Sequence, residues 1–201
     1  SQDTSASFQY SYTNDGNYTV QLIIGSTNNC FDTAQVQIDV YPSPVFNVSV
    51  NAVTQCFNGN NFIVSDSSTI ASGSYTRLWD FGDGTTDTAA IASHSYTNPG
   101  SYQGYLVLTT NHGCIDTTGG TLTVNPSPLA KGTIIGGPQC LNGNHFDFYD
   151  SSSIAQGYIT RIWNFGDGKQ DTNAVIIHNY NTYGKFMTQL IAVSDLGCTD
   201  T

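Results

Sequence analysis

An 84-residue internal period constrains this chain more than any other feature. Tyr12-Thr13-Asn14-Asp15-Gly16-Asn17-Tyr18 returns as Tyr96-Thr97-Asn98-Pro99-Gly100-Ser101-Tyr102, and more loosely as Tyr180 through Phe186. At the same offset Gln55-Cys56-Phe57-Asn58-Gly59-Asn60 becomes Gln139-Cys140-Leu141-Asn142-Gly143-Asn144. Cys30, Cys114 and Cys198 share one register, each followed two residues later by Asp-Thr, and an ungapped comparison of 45–117 with 129–201 gives 30 identities in 73 positions. A chain built this way folds as an array of similar modules. Pro42-Ser43-Pro44 and Pro126-Ser127-Pro128 punctuate the period. Proline fixes φ and cannot donate to a ladder, so these triplets end strands and form short stiff joints. The expected boundaries are therefore 1–44, 45–128 and 129–201. Only the middle repeat is whole; the first is the C-terminal part of a truncated repeat and the third lacks its last strand. The chain reads as a window from a longer array, and a 44-residue stub is too small to bury a core alone.

Composition then selects strands over helices. All 15 acidic residues are Asp, against 5 Lys plus Arg, for a net charge of −10, and Thr, Ser, Asn and Gly abound. Such residues favour strands and turns over helix interiors. The scarcity of Lys and Arg argues against nucleic-acid binding, and no apolar run is long enough to insert in a membrane as a helix. In the middle repeat Val45–Val50, Phe62–Ser65, Tyr75–Phe81 and Ile91–Ser95 read as strands, followed by a hairpin of Gly100–Thr110 and Thr121–Val124 around Asn111-His112-Gly113. Along the long strand Tyr18, Val20, Leu22 and Ile24 align with Tyr102, Gly104, Leu106 and Leu108, and with Phe186, Thr188, Leu190 and Ala192. That alternation places one face of the strand on a core. The fold class expected is all-β, with tandem immunoglobulin-like sandwiches. Trp79 and Trp163 are expected in the core, and Tyr96 and Tyr180 as corner tyrosines with hydroxyls bonded to nearby backbone.

Trp79-Asp80-Phe81-Gly82-Asp83-Gly84, followed by His94, Tyr96, Gly100 and Tyr102, resembles the signature of the polycystic kidney disease (PKD) domain family. Trp163 through Gly168 with His178, Tyr180 and Gly184 repeats it. Asn164 departs from the family's usual Asp, and Tyr183 stands where the middle repeat has Pro99. The resemblance implies a β-sandwich. It also implies an extracellular, bacterial cell-surface setting, either as spacers in secreted hydrolases or as long arrays in surface adhesins. The Gly-Cys-x-Asp-Thr elements at Gly113–Thr117 and Gly197–Thr201 look most like the arrays of gliding-motility adhesins, many of which leave the cell by the type 9 route.

The five cysteines allow two pairings of constant spacing: Cys56–Cys114 with Cys140–Cys198, or Cys30–Cys56 with Cys114–Cys140. If the first strand and the long strand both finish at the far end of the sandwich, Cys56 and Cys114 meet there. Cys30 would then lie roughly 30 Å away for strands of eight to ten residues, far beyond the ~7 Å a disulfide spans. The intradomain pairing is therefore expected, each bridge closing a loop of about 58 residues worth roughly 4 kcal/mol. Cys30 is left unpaired in this fragment, its partner lying upstream. Disulfides imply an oxidising compartment.

Chemistry is sparse. Asp80, Asp83 and Asp87, echoed by Asp167 and Asp171, are the candidate Ca²⁺ ligands, Ca²⁺ needing six to eight oxygens. The competing reading, that Asp83 and Asp167 cap a tight Gly-Asp-Gly turn, is preferred because few carboxylates converge. No resident cofactor is otherwise expected. His94 and His178 align and read as packing or hydrogen-bonding residues. No nucleophile elbow, zinc motif or phosphate loop occurs, so no enzyme is expected. Thr33 and Thr88, each in an Asp-Thr-Ala triplet, are candidate O-glycosylation acceptors. The expected function is a non-enzymatic stalk segment that spaces and presents an adhesive region and contacts neighbouring repeats. Surface glycans or a matrix protein are further partners. One alternative is a glycan- or collagen-binding accessory module, for which Tyr75 and Tyr105 are candidate platform residues although Ile159 and Gln189 replace them in the next repeat. The other is a filament subunit completed by strand donation.

Overall fold

The structure, a computed structural model, describes Thr4, Ser5 and residues 7–201. Every regular element among them is a strand. β1 (Gly16–Gly25) and β2 (Phe31–Val40) form a ten-rung antiparallel hairpin. In the middle repeat β3 (Val48–Val50), β5 (Phe62–Asp66) and β8 (Ile91–His94) make one sheet. The other holds β4 (Thr54–Cys56), β10 (Ile115–Asn125), β9 (Gly100–Thr110), β6 (Tyr75–Asp80) and β7 (Thr86–Asp87), in that order. In the third repeat β11 (Gly132–Ile135), β12 (Phe146–Asp150) and β15 (Val175–His178) form one sheet. The second is β14 (Gln170–Asp171), β13 (Ile159–Asn164), β16 (Gln189–Ser194) and β17 (Thr199–Asp200). The all-β expectation is met. The described chain divides into two compact units: one from 1–49, 64–92 and 104–120, the other from 50–63, 93–103 and 121–201.

Period-two alternation becomes burial where a second sheet exists. Leu106 and Leu108 on β9, and Leu190 and Ala192 on β16, are buried, as are Trp79 and Trp163. In the third repeat Phe148, Trp163, Phe165, Ile176, Tyr180 and Leu190 form one core cluster. Phe148 packs edge-on against Trp163 and Phe165, with ring centroids 5.2 and 5.0 Å apart, the arrangement that aromatic quadrupoles favour. The same alternation on β1 faces no opposing sheet among the described residues: Leu22 is 58% and Ile24 62% exposed.

The tyrosine expectation is corrected in part. Tyr180 is buried, but its hydroxyl donates to the Phe165 carbonyl, 15 residues upstream, at 2.9 Å. A shorter-range bond is made by two further tyrosines. Tyr18 donates to the Asn14 carbonyl and Tyr102 to the Asn98 carbonyl, both at 2.8 Å and four residues back. Their rings stack on Tyr12 and Tyr96, so the repeated Tyr-x₅-Tyr spacing is a stacking motif as well as a turn.

Candidate functional site

Four devices recur at the 84-residue offset. The first is the Gly-Asp-Gly turn. The Gly82 amide donates to Asp80 Oδ1 at 2.9 Å, the Thr85 amide to Asp83 Oδ1 at 3.0 Å and the Ala89 amide to Asp87 Oδ1 at 2.7 Å. In the third repeat Gly166 bonds to Asn164, Lys169 to Asp167 and Asn173 to Asp171 in the same way. Each Asp spends an oxygen on the amide two residues ahead, so the carboxylates cap successive turns. No group of three or more His, Cys, Asp or Glu side chains suited to a metal converges among the described residues.

Asp167 also reaches His178, whose Nε2 lies 2.9 Å from Asp167 Oδ2. The His178 ring is stacked on Phe165 at 3.9 Å and edge-on to Tyr180. Burial alone would raise the Asp167 carboxyl, but the Lys169 amide and His178 outweigh it and hold it below 3.8. The same burial raises the Tyr180 phenol.

The second device is a buried carboxylate–arginine pair joining the two sheets of each repeat. Asp66 Oδ2 meets Arg77 Nε at 2.8 Å, and Asp150 Oδ2 meets Arg161 Nε at 2.5 Å. Burial opposes the charge on Asp66 and Asp150, yet bonds from Ser68 and Ser152, with the two guanidinium groups, bring both carboxyls below 3.8. A folded pKa depressed below the unfolded value stabilises the fold above that unfolded value, and the contribution disappears as pH falls through the folded one. Relief of the −10 net charge in acid acts in the opposite sense. The three depressed carboxyls are expected to dominate, so the thermal midpoint should hold between pH 5 and 8 and fall below about pH 4. Circular-dichroism melts across pH check this; a midpoint flat or rising to pH 2 contradicts it.

The third device explains the Gln-Cys-x-Asn-Gly-Asn motif, to which sequence reading assigned no role. Asn60 Nδ2 donates to the carbonyls of Phe57 and Tyr96, while the Tyr96 amide donates back to Asn60 Oδ1 at 2.7 Å. Asn144 does the same with Leu141 and Tyr180. Gln55 Oε1 accepts from the Asn61 amide and Gln139 Oε1 from the His145 amide. With Gly59 at φ 78° and Gly143 at φ 75°, a backbone region glycine enters without steric cost, each loop is pinned and carries its cysteine in a fixed place.

The fourth device is the turn holding the other cysteines. The Ser26 amide donates to the Cys30 carbonyl, Thr110 to Cys114 and Ser194 to Cys198, at 2.8, 2.9 and 2.8 Å. The hydroxyl of Ser26, Thr110 or Ser194 accepts in return from the cysteine amide. Gly113 and Gly197, at φ 82° and 81°, take the left-handed position that Asn29 fills in the first turn.

These last two devices correct the disulfide expectation. Cys56 is bonded to Cys198, 142 residues away, and Cys30, Cys114 and Cys140 are free thiols. Neither Cys56–Cys114 nor Cys140–Cys198 forms. The long strand runs away from Cys56 and not toward it. β4 adds to β10 in parallel, pairing Cys56 with Asn125. β10 then runs 11 residues back to its start beside Cys114, roughly 35 Å at about 3.3 Å per residue, so Cys114 sits at the opposite end of the repeat from Cys56. Cys198, at the corresponding end of the third repeat, lies beside the Pro-Ser-Pro joint. There the Ala130 amide donates to Asp200 Oδ2 at 2.8 Å, and the Asn58 amide donates to Ser127 Oγ at 2.9 Å.

Of the remaining candidates, Thr33 and Thr88 are both exposed. Tyr105 is 42% exposed, whereas Tyr75 is half-buried with its hydroxyl on the Ser68 carbonyl at 2.6 Å.

Two-sheet β-sandwiches with a Trp-x-Phe-Gly-Asp-Gly turn, repeated in tandem, define an immunoglobulin-like repeat class. The chain belongs to the PKD domain family, whose model matches residues 42–126 and 125–201. It is 31% identical over 128 residues to the pre-pro-metalloprotease PrtV of two Vibrio cholerae serotype O1 strains, a match covering 62% of this chain and 13% of those proteins. Among solved structures it is similar to the PKD1 domain of Vibrio anguillarum Epp (28% identity, 41% of this chain, 94% of that one, TM-score 0.36). The PKD1 domain of Vibrio cholerae PrtV is also similar (31% identity, 43% and 99%, TM-score 0.34). Among the described residues no helix is long and apolar enough to cross a membrane.

Proposed function

We propose that this chain is a non-enzymatic extracellular spacer, a segment of a repeat array bounded at 1–44, 45–128 and 129–201 that holds an adhesive region away from a bacterial surface. The observation that carries this reading is the Cys56–Cys198 bridge, which ties the first loop of one repeat to the turn of the next. With the short Pro-Ser-Pro joint, such a bridge restricts bending at the junction, as a spacer under load requires. An array in which each repeat engages chiefly its neighbour extends as a rod, and a net charge of −10 keeps such rods apart. A bridge of this kind also calls for an oxidising compartment.

The similarity to a metalloprotease precursor favours a second reading, an accessory module that binds glycan or collagen beside a catalytic domain. Binding of the purified chain to immobilised collagen and to a glycan panel separates the two. The spacer reading predicts no saturable binding to either; saturable binding to one of them would favour the accessory module and overturn the spacer.

A further inference from the structure

The Cys56–Cys198 bridge decides which part of the chain can carry tension. Its two cysteines are separated by 142 positions in sequence but by only 5.6 Å at Cα. A pull that enters before Cys56 and leaves after Cys198 therefore has two routes. One is short and covalent: through β3 and β4 to Cys56, across the two sulfurs, and out from Cys198 into β17. The other runs through every strand from β5 to β16. Drawn out at about 3.5 Å per residue, that second route is roughly 500 Å long, so it stays slack while the sulfurs are joined. The core side chains Trp79, Leu106, Leu108, Phe148, Trp163 and Leu190 all lie on the slack route.

Both ends of the short route are anchored. Thr54, Gln55 and Cys56 run parallel to Thr123, Val124 and Asn125. The Gln55 side chain accepts from the Asn61 amide at 2.7 Å and donates to the Asn61 carbonyl at 3.0 Å. At the other end the Cys198 amide donates to Ser194 Oγ at 2.9 Å, and Thr199 and Asp200 pair with Val193 and Ala192 on β16. Among the described strands of the second and third repeats, only β3, β4 and β17 stand in the load path. The two sulfurs also differ in access, since Cys198 is fully buried and Cys56 is half-buried.

We propose that the bridge is a redox-gated tension bypass: closed, it carries the pull and leaves both sandwich cores unstretched, and a small thiol opens it and frees the hidden length. Opening is thiol–disulfide exchange. A glutathione thiolate attacks Cys56 Sγ, the accessible sulfur, and the bond to Cys198 breaks with Cys198 leaving as thiolate. A second glutathione thiolate attacks the glutathione sulfur of the mixed disulfide and expels the Cys56 thiolate. The two cysteines gain two electrons and two protons, and two glutathione thiols become one glutathione disulfide. The bypass deepens the spacer reading, because a spacer of fixed length must not lengthen under load. Its test is separate: released length decides the bypass, whereas collagen and glycan binding decides the spacer.

The test holds the 201-residue chain by its two ends in optical tweezers, with Cys30→Ser, Cys114→Ser and Cys140→Ser in place so that no free thiol can exchange. Oxidised, the chain should lengthen by no more than about 200 Å, the extended reach of the residues outside the loop. In reduced glutathione the same force ramp should release roughly 500 Å more. Adding Cys56→Ser and Cys198→Ser should release that length without any reductant. Equal lengths in the oxidised and reduced conditions, an oxidised chain that passes its limit, or a bridge-free variant that stays within about 200 Å would each overturn the proposal.

Discussion

Removing the Cys56–Cys198 bridge should lower the thermal midpoint of this chain by roughly 10–20 °C. The bridge closes a loop with a sequence separation of 142. In the chain-entropy model that constraint on the unfolded chain contributes at most about 5 kcal/mol. For a chain of this size each kcal/mol moves the midpoint by about 2–4 °C. The effect is larger than that of either intradomain loop expected from sequence taken singly, because loop-closure entropy grows with separation. A Cys56→Ser/Cys198→Ser double variant is the clean test, since it leaves no orphaned thiol to exchange with Cys114 or Cys140. Calorimetry should show the same drop for that variant and for the wild-type chain in reductant, and reductant should leave the variant unmoved. Equal midpoints for oxidised and reduced wild type would remove the bridge's stabilising role.

Truncating Phe148 to Ala should cost about 3–5 kcal/mol, in the range of large aromatic deletions from close-packed cores. Phe148 is 1% exposed and contributes ring edges to both Trp163 and Phe165, so deletion loses transfer free energy and leaves a cavity that two rigid aromatics cannot fill. The repeat supplies an internal control. The middle repeat has Val64 where Phe148 stands and Ala92 where Ile176 stands, but Leu108 where the third repeat has Ala192, and all six side chains are buried. Ala92 with Leu108 and Ile176 with Ala192 carry the same bulk in exchanged positions, the change cores tolerate best, whereas the Phe148 ring is bulk that Val64 does not match. Phe148→Val should therefore still destabilise, by about 1–3 kcal/mol, and Phe148→Val combined with Ala192→Leu should recover part of that. Urea unfolding followed by tryptophan fluorescence measures all three. A Phe148→Ala cost below 1 kcal/mol would mean the third sandwich is not packed as described.

The fold was largely legible because its determinants are local and doubled. Leu106, Leu108, Leu190 and Ala192 alternate along their strands, and the Gly-Asp-Gly turns show their side-chain acceptors at fixed spacing. The capping role of Asp83 and Asp167 follows from the reach of a short carboxylate to an amide two residues ahead. The bridge was not legible, because it depends on which neighbour a three-residue strand chooses. Thr54-Gln55-Cys56 has no alternation to declare it, and its parallel addition to β10 fixes which end of the sandwich holds Cys114. A reading that finds the long strand but not its edge partner can reverse its direction without contradiction. The Asn60 and Asn144 clamps were visible as a repeated Asn-Gly-Asn motif, but their acceptors, Tyr96 and Tyr180, lie 36 residues away, a distance periodicity cannot reach. Exposure of Leu22 and Ile24 on β1 is the remaining difference: alternation marks a face as apolar without supplying the sheet to cover it.

Covalent bonding in this chain runs between successive repeats. Mass-spectrometric mapping of the unreduced chain, alkylated before digestion so that free thiols are marked, tests it most directly. The expected result is one disulfide-linked peptide pair containing Cys56 and Cys198, with Cys30, Cys114 and Cys140 alkylated in the monomer. Recovery of Cys56 linked to Cys114 and Cys140 linked to Cys198 would contradict it, returning each bridge to the interior of its own sandwich.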